Sequence, residues 1–245
     1  MSIAIDIGTR YLHLVQGSVR KKRVIIKQAC LDSLPSGVVQ DGIIREFGGM
    51  EMALRNMLSK YNIKDKDCIL TINGNHIYTK EMVVPRSKRN VLQDVVAFEM
   101  ASSMNSTKPM AVEFVASKKP VPDQPNMVQV KSSAIMLDYV NDYQKLLRKC
   151  KLKPAVLDIH PNATAKVLAD RAINDLPIRD SGNSVLFLDI GAVTCSAYIY
   201  SKGEIIYSRI IPIGGLDVER YIMLQNEKSP VEQKKMLSEV DVSLE

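Results

Sequence analysis

Several residue types and segment types are scarce in this chain of 245 residues. It has no tryptophan, aromatic residues make up 5% of it, and its four cysteines include no C-x-x-C pair. The missing pair argues against a zinc ribbon or a thioredoxin-like site, and the three histidines are too scattered to form a metal-ligand cluster. No apolar run is long enough for a membrane helix, and we expect no secretory signal, because no basic start precedes an apolar core.

The net charge of the chain is unevenly spread along the sequence. The formal net charge is +6, and the only strong basic run is Arg20–Arg23. The uneven charge and the low aromatic content argue against a nucleic-acid-binding protein. The run lies between two predicted strands, which is typical of a solvent-exposed hairpin tip. Contact with anionic lipid headgroups is the alternative interpretation.

Short strands and one clear helix open the chain. Apolar residues alternate along residues 2–7 and 12–16, and Gly17-Ser18 is expected to end the second strand. A third strand is expected over residues 24–34. Between residues 50 and 61 the apolar spacing changes to the period of an α-helix.

A second helix is expected over residues 87–103. Ser87 is a plausible N-cap, and Val91, Val95 and Phe98 share one helical face, which we expect to be buried. Further strands and helices alternate after it.

An apolar strand that ends in Asp-Ile-Gly occurs twice in the chain. Its two aspartates are Asp6 and Asp189, and each strand is followed by a turn and a second strand. Glycine permits a tight turn. The backbone amides of the turn and the hydroxyls of Thr9 and Thr194 can then donate hydrogen bonds to phosphate oxygens. The two aspartates can orient a hydrated magnesium ion. Ordinary turn chemistry is the alternative interpretation of each hairpin.

These segments resemble known hairpins of one superfamily. The superfamily is that of the actin, sugar-kinase and heat-shock-protein ATPases. Its first phosphate hairpin is resembled by Ile3–Val15, its second by Leu186–Gly203, and the glycine pair that follows by Ile210–Gly215. More narrowly, the chain resembles the PilM family of actin-like type IV pilus assembly proteins. That resemblance spans about residues 2–216 and includes Leu34–Ile44, Met82–Pro85, Leu152–Ile159 and Tyr207–Gly215.

The resemblance implies a particular fold and division of the chain. The expected fold is α/β and actin-like (ribonuclease-H-like), with an inserted small α+β subdomain and an incomplete second half. Residues 1–83 with 156–180 would form the first actin-like subdomain, 1A. Residues 84–155 would form the inserted subdomain, 1C, and residues 183–245 a truncated second actin-like subdomain.

The resemblance also implies a nucleotide-binding site. It would bind ATP or ADP, with magnesium held through water near the two aspartates and no direct metal ligand. Its implied residues are Asp6, Gly8, Thr9, Arg10, His13, Asp189, Gly191, Thr194, Gly214 and Gly215. Family members usually have a lysine where this chain has His13. We expect weak or absent hydrolysis, and no catalytic residue is assigned.

The implied function is that of a cytoplasmic scaffold. Resemblance to the family implies that the protein belongs to the type IV pilus platform at the inner face of the cell membrane. There it would bind the cytoplasmic N-terminal peptide of a PilN-like protein. Other platform proteins are expected partners, nucleic acid is not, and membrane contact is expected only peripherally. The alternatives are a domain like that of the type II secretion L protein, a functional actin-like ATPase, and an FtsA-type division protein. The acidic segment 238–245 disfavours the last, which ends in an amphipathic membrane-targeting helix.

Overall fold

The structure is a computed structural model that describes residues 1–21, 23–117, 119–170, 183–201 and 204–226. The chain divides into two compact units, Met1–Asp158 and Ile159–Glu245.

The first unit contains two main sheets and three helices. Its elements are β1 (Ser2–Ile7), β2 (Tyr11–Arg20), β3 (Arg23–Ser33), β4 (Val39–Gln40), β5 (Ile43–Ile44), α1 (Phe47–Lys60), β6 (Asp67–Ile72), β7 (Tyr78–Pro85), α2 (Arg89–Ser103), β8 (Met110–Ala116), β9 (Met127–Met136), α3 (Leu137–Lys149) and β10 (Lys153–Ile159). The larger sheet has the strand order β10-β6-β1-β2-β3, and the smaller has the order β7-β9-β8. In addition, β4 and β5 form a two-stranded pair.

The larger sheet buries the face that the sequence alternation predicted. Ile3, Ile5 and Ile7 of β1 are all buried, which confirms the prediction. Strand β1 is central because it pairs antiparallel with β2 and parallel with β6. Helix α1 supplies a buried stripe to the core, Met50, Leu54 and Met57, each of which contributes about 1.5–3 kcal/mol through burial.

Strand β2 is longer than the sequence analysis predicted. It does not end at Gly17-Ser18 but continues to Arg20, and a β-bulge marks the position of the glycine. A Cβ atom on Gly17 would lie 2.8 Å from the backbone oxygen of Ile25, so the glycine permits close strand approach. The prediction of a strand end was wrong because a glycine in a strand often marks a bulge instead.

The smaller sheet is covered on one face by helix α2, whose buried side differs from the predicted one. The helix buries a stripe that includes Met100, and the predicted Val95 is partly buried against the same core, whereas Phe98 is 72% exposed and Val91 is exposed as well. Helix α2 carries two apolar stripes one residue apart, and contact with the sheet decides between them. The N-cap position belongs to Lys88, with no side-chain cap, so the predicted cap was wrong too.

Helix α3 joins the two sheets of the first unit. The hydroxyl of buried Tyr143 donates to the backbone oxygen of Gly42, next to β5. At its other end the helix follows β9 directly, and the amide of Leu137 donates to the oxygen of Pro109 at 3.0 Å. The sheets divide the chain at Tyr78, where β7 begins, and at Lys153, where β10 begins. The predicted subdomain limits stay a prediction.

The second unit repeats the hairpin arrangement of the first. Its described elements are α4 (His160–Asp170), β11 (Ser184–Ile190), β12 (Cys195–Ser201), β13 (Glu204–Ile211) and α5 (Gly215–Asn226). The three strands form an antiparallel sheet in the order β11-β12-β13. Its small core consists of Tyr198 and Tyr200, against which Ala165 of α4 packs.

Candidate functional site

The turn between β1 and β2 is closed by a backbone hydrogen bond. The amide of Gly8 donates to the oxygen of Tyr11 at 3.0 Å. A Cβ atom on Gly8 would lie 2.9 Å from that same oxygen, which is closer than real Cβ contacts allow. The glycine is therefore required by the turn itself, and its amide is already engaged there. Thr9 and Arg10 form the tip, and the Arg10 guanidinium lies over the Tyr11 ring at 5.6 Å.

Asp6 and His13 contact each other directly across this hairpin. They are paired residues in the β1–β2 register, and the Nδ1 atom of His13 lies 3.2 Å from a carboxylate oxygen of Asp6. Both side chains are partly exposed, 48% for the histidine and 30% for the aspartate. The imidazole thus contacts the aspartate that we expected to orient magnesium, and it stands where the resemblance implies a lysine.

The turn between β11 and β12 has the same geometry. The amide of Gly191 donates to the oxygen of Thr194 at 2.9 Å, as Gly8 does to Tyr11. In both hairpins four residues separate the last paired residues of the strands. The predicted internal repeat is therefore confirmed at the level of hairpin geometry. The hydroxyl residues do not correspond, however, because Thr194 occupies the position of Tyr11 and Ala192 occupies that of Thr9.

Asp189 also contacts a histidine, but one from a different element. The Nδ1 atom of His160, the first residue of α4, lies 3.1 Å from a carboxylate oxygen of Asp189. In the β11–β12 register Asp189 is paired with Ser196, which takes the place that His13 has in the first hairpin. Sequence reasoning missed His160 because no motif marks it and the contact spans 29 residues.

The glycine pair after β13 lies against the turn of the second hairpin. The amide of Gly215 donates to the oxygen of Gly191, and the amide of Leu216 donates to the oxygen of Ala192, both at 2.9 Å. A Cβ atom on Gly214 would lie 2.5 Å from the backbone carbon and oxygen of Ala192. Gly214 also donates its amide to the Asp217 carboxylate at 2.9 Å, which caps the start of α5.

The structure thus groups the predicted site residues into two sets. In the first unit it brings together Asp6, Gly8, Thr9, Arg10 and His13 around one turn. In the second unit it brings together Asp189, Gly191, Thr194, Gly214 and Gly215, and adds His160. The two glycine amides close their own turns, so phosphate donors would have to come from other turn amides and side chains. The assignment of these residues to nucleotide stays a prediction.

The described ranges add no metal centre to these hairpins, and two thiols elsewhere are buried and unreactive. Those residues contain no group of three or more His, Cys, Asp or Glu side chains that could hold a metal ion. Burial raises the pKa of Cys68 to about 12 and that of Cys150 to about 11, so both thiols stay protonated near neutral pH. They behave as core residues. Among the described helices, none has the length and apolar character to cross a membrane.

Comparison with solved structures shows the fold. The chain superposes on a structure of a PilM-PilN type IV pilus biogenesis complex with a TM-score of 0.80 and 19% identity, over 96% of this chain and 68% of that one. It also matches the ethanolamine utilization protein EutJ from Carboxydothermus hydrogenoformans with a TM-score of 0.53 and 15% identity, over 95% of this chain and 59% of that one. These similarities confirm the predicted actin-like α/β fold.

Comparison with known sequences shows the family. No curated protein matches the chain. A family model described as type IV pilus assembly protein PilM matches residues 4–241, which is nearly the whole sequence. The chain therefore belongs to the family of the type IV pilus assembly protein PilM.

Proposed function

We propose that this protein is a cytoplasmic scaffold of the type IV pilus platform and binds the cytoplasmic N-terminal peptide of a PilN-like inner-membrane protein. The observation that carries the proposal is the similarity to a PilM-PilN complex, with a TM-score of 0.80 over 96% of this chain. The family match over residues 4–241 supports the same role and favours it over a type II secretion or cell-division role. Through this partner the protein would be held at the inner face of the membrane.

The junction of the two sheets in the first unit is the place where we expect the peptide. Helix α3 contacts α1 and β5 on one side and β8 and β9 on the other. The strand register places Tyr78 of β7 and Met110 of β8 at the end of the smaller sheet from which α3 departs, because they pair with Ala134 and Met136. A groove between the sheets would therefore run past these two residues.

The chemistry of this end suits an extended peptide. Strands β7 and β8 are the outer strands of the smaller sheet, so each has backbone groups that a peptide strand can pair with. Tyr78 is 47% exposed and offers an amphipathic side chain for contact. The peptide loses conformational entropy when it becomes ordered, so we expect a dissociation constant in about the micromolar range.

Calorimetry with a peptide of roughly the first 20 residues of the cognate PilN-like protein tests this proposal. Tyr78→Ser should weaken binding at least about tenfold, through lost aromatic contact. Val83→Ser is the matched control, since Val83 lies at the far end of the same strand and is 44% exposed against 47% for Tyr78. No heat with the intact chain at hundreds of micromolar peptide would refute peptide binding. Equal effects of both variants would refute only its location.

We further propose that the two Asp-Ile-Gly hairpins bind the phosphates of ATP or ADP without efficient hydrolysis. The supporting observations are the shared turn geometry and the absence, at His13, of the fixed positive charge that a lysine supplies. Titrating the intact chain and the Asp6→Ala variant with ATP and magnesium measures nucleotide binding. Steady turnover that Asp6→Ala abolishes would show that this chain is an ATPase after all.

A further inference from the structure

The β2–β3 hairpin extends beyond the sheet to which it belongs. Strand β1 pairs with β2 only as far as Gly17, which lies opposite Ser2, whereas β2 and β3 continue to pair with each other to Arg20 and Arg23. Residues 18–21 and 23–25 therefore form a two-stranded ribbon that projects by about 10 Å, given a rise of about 3.4 Å per residue. The ribbon begins at the bulge beside Gly17.

One face of this ribbon is apolar and exposed. Val19 is 72% exposed and pairs with Val24, which is 61% exposed. Ile26, paired with Gly17, is 62% exposed and lies on the same face, because alternate residues of a strand share a face. A projecting group of β-branched apolar side chains gains nothing from contact with water, so it points to a partner that can bury it.

The charge of this stretch of sequence has one sign. Residues 7–31 contain six Lys or Arg and no Asp or Glu. Four of the six form the run Arg20–Arg23 at the tip, where Arg20 and Lys21 are exposed and Lys22 lies outside the described residues. A protein partner that carries both positive and negative charges would not favour so long a stretch without Asp or Glu. An anionic lipid surface does, because headgroups attract the cations while the interface buries apolar side chains.

We propose that this ribbon docks directly onto anionic phospholipid, with Val19, Val24 and the adjoining Ile26 in the headgroup region and Arg20 and Lys21 against the phosphates. This contact is separate from attachment through a PilN-like protein. A projection of about 10 Å matches the depth of about 5–10 Å to which interfacial segments enter a membrane. The ribbon would thereby orient the first unit relative to the bilayer.

Sedimentation with vesicles tests the electrostatic part of the proposal. The intact chain should bind phosphatidylcholine vesicles that contain about 30% phosphatidylglycerol, and binding should weaken as salt rises from about 0.05 to about 0.5 M. R20E with K21E should reduce partitioning at least about 25-fold, since each basic residue contributes about fivefold near an anionic surface. K64E with K66E, at two exposed lysines before β6, changes net charge equally and should leave partitioning within about twofold.

Tryptophan fluorescence tests the apolar part, and the chain has no tryptophan of its own. Val19→Trp should shift its emission to the blue and be quenched by brominated lipid when anionic vesicles are added. Val115→Trp is the matched control, because Val115 is also 72% exposed but lies on β8, and its emission should not change. The proposal would be overturned if the chain bound neutral and anionic vesicles equally, or if it did not bind at low salt. It would also be overturned if K64E with K66E reduced partitioning as much as R20E with K21E. Hairpin variants that change only self-association in sedimentation analysis would overturn it too.

Discussion

Substitution of Gly214 by alanine is the sharpest test of how the second hairpin is held. A Cβ atom there would meet the backbone carbon and oxygen of Ala192 at 2.5 Å and the amide nitrogen of Val193 at 2.6 Å. All three are backbone atoms of the turn, so no side chain can rotate away. Ordinary contact begins near 3.5 Å, and the turn would have to retreat by about 1 Å. We expect a cost of about 1–3 kcal/mol, as for other overpacked sites.

The neighbouring glycine provides a matched control for this prediction. A Cβ atom on Gly215 would meet only the oxygen of Gly191, at an ordinary 3.8 Å. Gly215 is the first residue of α5, so Gly215→Ala should be neutral or stabilise by up to about 1 kcal/mol. The same side chain added one residue away should therefore have the opposite effect or none.

Amide hydrogen exchange localises this effect within a chain of two units. In Gly214→Ala, peptides from β11, β12 and α5 should exchange about five- to 150-fold faster, the range that corresponds to the expected cost. Peptides from β1 and β6 in the first unit should be unchanged, and Gly215→Ala should leave both sets unchanged or slower. Unaltered exchange in Gly214→Ala, or equal acceleration by the two variants, would refute the close-approach argument.

Two further predictions concern the first unit. On α2, Met100→Ala should lower the free energy of unfolding by about 2–4 kcal/mol because Met100 is 1% exposed. Phe98→Ala should change it by less than about 0.5 kcal/mol. Urea denaturation measures both changes, and equal costs would contradict the assignment of the buried and exposed faces. Burial lowers the pKa of His76 from 6.5 despite the opposing effect of Asp41, so only the unfolded chain takes up this proton readily. The free energy of unfolding should therefore fall as the pH drops below about 6.5. Thermal denaturation at about pH 7.5 and about pH 5.5 measures this loss of stability. An equally steep loss in His76→Gln would assign the pH dependence to other groups.

Local patterns were sufficient for much of the architecture. The alternation of Ile3, Ile5 and Ile7 predicted the buried face of β1, because only one face of a strand can reach the core. Helix α1, at Phe47–Lys60, likewise lies where the apolar spacing of residues 50–61 predicted a helix. The repeated Asp-Ile-Gly predicted two hairpins of one kind, since a tight turn with close backbone approach needs glycine wherever it occurs.

Other features depend on contacts between distant segments. The sequence offered α2 two apolar stripes, and only packing against the smaller sheet buried Met100 and exposed Phe98. The bulge at Gly17 follows from pairing with β3, which no local signal distinguishes from a strand end.

The site shows the same division. The sequence by itself determined the turns, because Gly8 and Gly191 act within four residues. Only the tertiary structure decided that His160 contacts Asp189 and that Gly214 packs against Ala192, since both contacts join segments more than twenty residues apart. Such contacts arise from how the sheet and its helices pack, and the turn residues themselves do not encode that packing.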